Sequence, residues 1–431
     1  MKHPRTRRHP PLPTGFWWLW AATLVNRFGL FVMPFLSLYL AVERGYSATF
    51  AGLVISLYGL GGMAGSLLGG SLSDRWGRRP TLLTGQLGAA VFTLALGFAQ
   101  QPVAIAVCVT VLGTALKVSQ PAIGAMLADL VPAESRPRAY SLNYWALNLG
   151  FSVSALSAGT LAAFGYLTLF VVDAATTLLC AVLVFWKIPE TRPRPQPRPT
   201  KHRTEVPAEC RTEEASTKAA AVPRVSPAAV LRDRRFMCLV GLNLLVVTVF
   251  TQRHMALPLS IAESGLSTAQ YGIVAGVNGV MIVTLQLAVT RLTQHRPAAR
   301  VLAAGALLVA LSSALNAQAE TVLLYCCAAV VYSLGEIVYV PTSEAQVPAM
   351  APEHARGRYE GVMVLTWALG GFVAPLTSGL VIDTYGTDAL WAGCAVTGAI
   401  AAAGYVVLLR PRHGKDGAPP PAPARQSAQA P

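Results

Sequence analysis

The sequence predicts an all-α membrane protein, with twelve transmembrane helices arranged as two pseudo-symmetric six-helix bundles around a central cavity. Three observations carry that prediction. The 431 residues are 53% hydrophobic and only 13% charged, with a mean hydropathy of +0.49, whereas soluble domains carry roughly 25% charged residues. Apolar runs of about 20 residues, enough at about 1.5 Å each to cross a bilayer, recur along the chain. Finally, a shift of 220 residues superposes Gly45 on Gly265, Ser47 on Ser267, Gly52 on Gly272, Gly85 on Gly305, Pro132 on Pro352, Arg136 on Arg356 and Arg138 on Arg358. One offset held from the first loop to the eleventh helix implies two copies of one six-helix unit, related by an axis along the membrane normal.

Taken in order, the apolar segments are 15–41, 48–71, 80–99, 102–131, 139–163 and 166–187, then 235–260, 269–291, 299–318, 321–350, 359–381 and 388–410. They form an N-terminal bundle, 15–187, and a C-terminal bundle, 235–410. The basic stretch 1–14 leads into a first helix with no small-residue cleavage site, so that helix is expected to be retained rather than removed as a signal peptide. The segment 188–234 is rich in Pro, Arg, Thr and Glu and has too little apolar surface to fold, which predicts a disordered cytoplasmic linker. A disordered cytoplasmic tail is expected over 411–431, which contains a Pro-Pro-Pro-Ala-Pro-Ala run.

Charge placement sets the topology. Of the 34 Lys and Arg residues, 30 fall in the ends and loops of one side, and only Arg44 lies in a loop of the other. By the positive-inside rule both termini are cytoplasmic. The net charge of +14 therefore records orientation in a bilayer and argues against nucleic-acid binding. The seven cysteines show no C-x-x-C spacing, and six lie in apolar helices as small hydrophobes, so neither a disulfide framework nor a metal site is indicated. No cofactor is implied.

The remaining cations, Arg27, Lys117 and Arg253, lie inside apolar segments, as does the acid Glu336. Ionisable groups at membrane depth are costly and mark a polar pathway. Lys117 and Glu336 occupy nearly equivalent places in the two halves, about fifteen residues or 22 Å into helices 4 and 10. A cation on one bundle opposite an acid on the other is able to pair when the cavity closes on one side, and protonating the acid would weaken that pair and couple proton and substrate movement. Arg253 lies nearer the outer surface, where a rim role competes with substrate contact. Asp173 is expected to partner a neighbouring helix. On helix 5, Asn143-Tyr144-Trp145-Ala146-Leu147-Asn148 sets Tyr144 and Asn148 on one face, with hydroxyl and amide groups suited to a polar organic ligand.

Between the second and third segments, residues 69–80 read Gly-Gly-Ser-Leu-Ser-Asp-Arg-Trp-Gly-Arg-Arg-Pro. This turn resembles the loop between helices 2 and 3 of the major facilitator superfamily, G-x-L-x-D-R-x-G-R-R, matched by Gly70, Leu72, Asp74, Arg75, Gly77, Arg78 and Arg79. The resemblance implies a conformational latch built from Gly70, Asp74, Arg75, Gly77, Arg78 and Arg79, with Asp129 at the end of helix 4 as partner. The second-half copy, Arg291-Leu-Thr-Gln-His-Arg-Pro297, keeps charge but has lost the Asp. Further stretches resemble the drug:proton antiporter branch of that family, particularly exporters of sugars and dipeptides: Arg27-Phe-Gly, Leu116-Lys117, Ser141 to Gly150 and Gly335-Glu-Ile-Val-Tyr-Val-Pro341. The helix-5 motif of that branch persists over Gly150–Gly159 without its proline. Proton-coupled oligopeptide transporters are also similar in placing an Arg in helix 1, a Lys in helix 4 and a Glu in helix 10, but their paired glutamates before the helix-1 Arg are here Leu24, Val25 and Asn26.

These readings lead to a proton-coupled exporter of small polar or amphipathic molecules working by alternating access, with a proton-coupled importer of peptides, sugars or metabolites as the alternative. Arg27, Lys117, Glu336, Asn143, Tyr144 and Asn148 form the expected coupling and substrate-binding set. The expected partners are a small-molecule substrate, protons and the lipid bilayer, with the chain acting as a monomer. An Ala-, Arg- and Pro-rich composition points to a bacterial plasma membrane. A transport-dead receptor would not retain the midplane charges, and no nucleophile–base set, H-E-x-x-H or phosphate-binding loop suggests an enzyme.

Overall fold

The computed structural model describes residues 12–191, 227–352 and 355–409. Most of the N-terminal stretch, the middle of the linker and the tail 411–431 lie outside the described residues. Twelve spans follow one another: α1 Thr14–Glu43, α2 Ala48–Arg75, α3 Arg78–Phe98, α4 Pro102–Leu130, α5 Arg136–Ala162, α6 Tyr166–Lys187, α7 Arg234–Glu263, α8 Thr268–Thr293, α9 Ala298–Asn316 and α10 Val322–Met350, then Arg356–Leu408. That last stretch of 53 residues breaks at Gly386 (φ 84°, ψ 172°), giving α11 before it and α12 after. The two ends of the expected linker are folded: Ile188 is buried against the first bundle, and Pro227–Arg232 is a short helix with Val230 buried. An apolar residue at each end anchors chain that composition alone reads as unfolded.

The repeat seen in the sequence is a repeat in space. Neighbours in the first bundle run α2–α4–α3–α6–α1–α5 and in the second α8–α10–α9–α12–α7–α11, which is the same order shifted by six spans. Ser47 caps α2 by accepting from Phe50 N at 3.1 Å. Its repeat mate Ser267 forms a reciprocal capping box with Gln270 on α8, satisfying backbone donors at each helix start.

The bundles meet through α2 with α11, α5 with α8, and α1 with α7. The first two seams are copies of each other. A Cβ on Gly52 would collide with the Pro375 carbonyl, and one on Gly272 would sit 2.6 Å from the Ala155 carbonyl; Gly272 and Ala155 are the 220-residue mates of Gly52 and Pro375. Only glycine permits these backbones to touch. Ser56 Oγ donates to Phe372 O at 2.5 Å, Ser37 Oγ to His254 O at 3.2 Å and Tyr271 OH to Pro34 O at 2.9 Å, all across the seams. These contacts lie on the half of the molecule away from the termini. Toward the termini the same stripes part: Ser66 and Leu67 of α2 and Gly361 and Val364 of α11 are exposed, and a Cβ at Gly70, Gly357 or Gly361 would meet nothing. The molecule is sealed on the far face and open on the face that carries the 70–79 turn.

α1 is broken. Thr14–Phe28 ends at Gly29, and helix resumes at Val32. Buried Asp173 of α6 accepts from Phe31 N and Val32 N, both at 3.2 Å, and Ser154 Oγ donates to Leu30 O at 2.8 Å. Backbone freed at membrane depth must find such partners, so Asp173 does partner a neighbouring helix, by capping its second half.

Candidate functional site

Just before the break in α1, Asn26 and Arg27 reach a cavity of ≈ 280 Å³ inside the first bundle, whose mostly aliphatic wall also carries Gln86, Gln120, Tyr140 and Asn143. Asn26 Nδ2 donates to Gln86 Oε1 at 3.3 Å and to Thr177 Oγ1 at 3.2 Å. Lys117 Nζ donates to Gln120 Oε1 at 3.2 Å, and its stem lies against Gly62 of α2. The buried Asn143 Oδ1 has no hydrogen-bond partner. Among the described residues no carboxylate lies within ion-pair distance of Arg27 or Lys117. The wall thus presents one cation, Arg27, and one open acceptor, Asn143 Oδ1, among aliphatic side chains.

Tyr144 and Asn148 lie elsewhere on α5. They continue, at helical spacing, the stripe of Ser152, Ala155 and Gly159 that meets α8, so they face the cleft where the bundles part. Tyr144 is exposed there, while Asn148 Nδ2 donates to the Tyr144 carbonyl of its own helix at 2.9 Å. Asn143, Tyr144 and Asn148 therefore serve two surfaces rather than one.

Glu336 faces the cleft from the second bundle, and its partner corrects the expected pairing. Lys117 and Glu336 are not brought together; Glu336 Oε2 lies 3.8 Å from Arg253 Nη1 and accepts from Asn278 Nδ2 at 2.8 Å. Arg253 also donates to Asn278 Oδ1, and Asn278 Nδ2 to Ser333 Oγ at 3.0 Å. Residues of α7, α8 and α10 thus form one network, with Arg253 and Glu336 side chains 20% and 23% exposed. Arg253 sits at mid-depth rather than at the rim: its guanidinium lies 5.1 Å from the Phe151 ring centroid of α5 and 5.8 Å from that of Tyr332. One cation therefore holds an acid of its own bundle and an aromatic face of the other. Behind it, a cavity of ≈ 30 Å³ lined by Asn278, Ser312, Ser313 and Asn316 has room for about two waters.

The expected latch is half engaged. Arg78 Nε lies 3.3 Å from Asp129 Oδ2 and Arg78 Nη1 lies 3.9 Å from Asp74, whose side chain is 80% exposed. Arg79 donates to Phe185 O and stacks 4.8 Å from that ring. Gly77 adopts φ 112° at the turn, and Gly70 touches nothing across the bundles. Sequence reasoning missed Glu190, which accepts from Arg78 N at 2.9 Å and Arg79 N at 3.1 Å and so caps α3. The Asp129→Ala variant leaves Arg78 half-served and is expected to cost about 1 kcal/mol, read as a Tm lower by about 1 °C in a chain of this length; Asp74→Ala should leave Tm unchanged.

A second acid, also missed, is engaged on the sealed face. Asp383 near the end of α11 accepts from Ala48 N at 3.0 Å, Thr49 N at 2.8 Å and Thr49 Oγ1 at 2.5 Å. It caps the start of α2 from the other bundle.

Comparison with known proteins follows this geometry. A model described as Major Facilitator Superfamily matches residues 19–255 and 254–430. A Na(+), Li(+), K(+)/H(+) antiporter of Planococcus maritimus is 25% identical over 369 residues, covering 80% of this chain and 84% of that protein. Multidrug resistance protein MdtH of Yersinia pestis is 25% identical over 379 residues, covering 86% and 87%. Among solved structures, nucleoside transporter NupG superposes with a TM-score of 0.76 at 12% identity, over 93% of this chain and 100% of that one. A POT family transporter in complex with 5-aminolevulinic acid superposes with a TM-score of 0.73 at 17% identity, over 92% and 96%. Sealed seams, a central cleft and a family match over both halves agree: this chain belongs to the Major Facilitator Superfamily and is a multi-pass membrane transporter of small molecules rather than an enzyme.

Proposed function

We propose that this transporter exports small polar or amphipathic molecules in exchange for protons, by alternating exposure of the central cleft. The observation that supports it most is the Arg253–Glu336–Asn278 network at the cleft, reaching Phe151 of the opposite bundle. A deprotonated Glu336 holds Arg253; a protonated one releases it for substrate or for repacking of the seam. The names of the antiporter and multidrug-resistance relatives support exchange and export. Arg27, with the amides of Gln120 and Asn143 in a mostly aliphatic wall and Lys117 bonded to Gln120, favours an amphipathic organic substrate bearing an acid or carbonyl over an alkali cation. Positive-inside placement of charge puts both termini in the cytoplasm of a bacterial plasma membrane, so the open cleft faces inward, and the fold needs only one copy.

α2 and α11 run antiparallel and each carries an Asp near its C-terminal end. In the present form Asp383 holds α2 on the outer face. The same register brings Asp74 opposite the start of α11 when the inner face closes, with Gly70 meeting the stripe of Gly357 and Gly361. Asp383→Asn is expected to weaken the outer cap and raise labelling of a cysteine placed at Ser37 by an impermeant outside thiol reagent, by about threefold to tenfold; unchanged labelling contradicts the role. Direction is tested by expressing the chain in a drug-sensitive host against a panel of toxic organic acids and amphipaths. Export predicts resistance to at least one compound. Heightened sensitivity with accumulation of the compound would establish import instead.

A further inference from the structure

We propose that a crevice beside the α8–α9 turn binds an anionic phospholipid from the leaflet on the side of the termini. This inference is independent of the direction or coupling of transport. The crevice encloses ≈ 350 Å³ and is lined by Leu292, Thr293, Arg296, Pro297, Arg300, Val301, Ala304 and Val338. Two exposed arginines thus head a wall that is otherwise mostly aliphatic. Val338 lies two residues from Glu336, about 200° round α10 at about 100° per residue, so the crevice opens on the side of α10 away from the central cleft. That side faces lipid.

The two halves differ in the acids set against these turns. In the first half, the 70–79 turn is neutralised by protein acids: Asp74 and Asp129 serve Arg78, and Glu190 caps α3. The 220-residue mates of Asp74 and Asp129 are Gln294 and Ala349. The turn in the second half carries Arg291, Arg296 and Arg300, whose 220-residue mates are Ser71, Trp76 and Pro80, and among the described residues no carboxylate lies within ion-pair distance of them. Cations at the bilayer surface with protein acids removed attract anionic headgroups. The aliphatic wall, running from Leu292 toward Val338 at mid-helix, receives an acyl chain, so charge and shape together select a phospholipid rather than a soluble anion. Arg296 and Arg300 hold the phosphate.

The test uses the purified full-length protein reconstituted in vesicles of equal phosphatidylglycerol and phosphatidylcholine, then extracted and examined by native mass spectrometry for retained lipid. Wild type is expected to retain phosphatidylglycerol preferentially, and R296Q/R300Q to lose that preference by about 30-fold, about 1 kcal/mol for each arginine. V338W, which fills the crevice without altering charge, is expected to reduce retention as well. Equal retention of the two lipids by wild type, or an unchanged preference in R296Q/R300Q, overturns the proposal. So does unchanged retention in V338W. Addition of inorganic phosphate before extraction separates the two sources of a phosphate group: displacement of phosphatidylglycerol by it would assign the site to a soluble anion and overturn the lipid reading.

Discussion

Glu336→Gln is expected to abolish proton-driven transport and to shift the resting conformation toward opening of the outer face. Glutamine keeps the size of the side chain and can still accept from Asn278, but it cannot hold Arg253 as an ion. In this conformation Arg253 is fixed by Glu336 on one side and by the Phe151 face on the other. Removing the carboxylate frees a cation at mid-depth that then seeks other acceptors. Coupling energies between such sites are about 1–3 kcal/mol, or about 5- to 150-fold in a conformational equilibrium. The readout is the response of an internal pH dye in proteoliposomes when a compound identified in the resistance panel is added. Wild type should move protons; the variant should not. Retention of proton movement by Glu336→Gln would remove Glu336 from the coupling step. Lys117→Gln offers a contrast: because Lys117 holds Gln120 rather than Glu336, it should weaken substrate affinity while leaving coupling intact.

The second large effect is steric. Gly52→Val places a side chain on the Pro375 carbonyl, and Gly272→Val does the same at Ala155 in the copied seam. Backbone atoms cannot yield as a flexible side chain would, so the helices must separate, at a cost of about 1–3 kcal/mol to the sealed form. The opposite face has no such contact at Gly70 or Gly361, and the form open to the outside is therefore spared. Outer-face labelling of a cysteine at Ser37 should rise by about tenfold or more in either variant, and further in the double variant. Labelling at the wild-type rate would mean that the seams have slack that the contacts do not suggest.

Much of this architecture was legible because two signals are coarse and redundant. Long apolar runs separated by charged turns locate the spans, and the constant offset pairs them; the order of the helices in each ring comes only from the packing. Even α5, Arg136–Ala162, the least apolar of the long helices, is located by its place in the count. Legibility fails where azimuth matters. Counting residues from helix ends gives the depth of Lys117, Arg253 and Glu336 but not which way each points round its helix, and depth alone made a cross-bundle pair of Lys117 and Glu336 attractive. The nearest opposite charge was instead on α7, connected through Asn278 of α8. The break in α1 had a local sign that was not read: Gly29 and Pro34 flank it, Pro34 has no N–H for the Leu30 carbonyl, and Asp173 and Ser154 supply the missing partners from α6 and α5. Glu190 and Asp383 are caps on helices to which they are not adjacent in sequence, so only packing reveals them. In the 70–79 turn the motif named the residues, but only packing shows that Arg78 meets both Asp74 and Asp129.

The proposed role of Glu336 is that its charge sets which face of the cleft is closed. Its most direct test is the distance between spin labels at Val42 and Tyr385, exposed positions of the two bundles on the sealed face, measured by double electron–electron resonance in a cysteine-free background. Acidification should lengthen that distance in wild type, and Glu336→Gln should show the longer distance at every pH. A pH-driven change that survives intact in Glu336→Gln would contradict the claim.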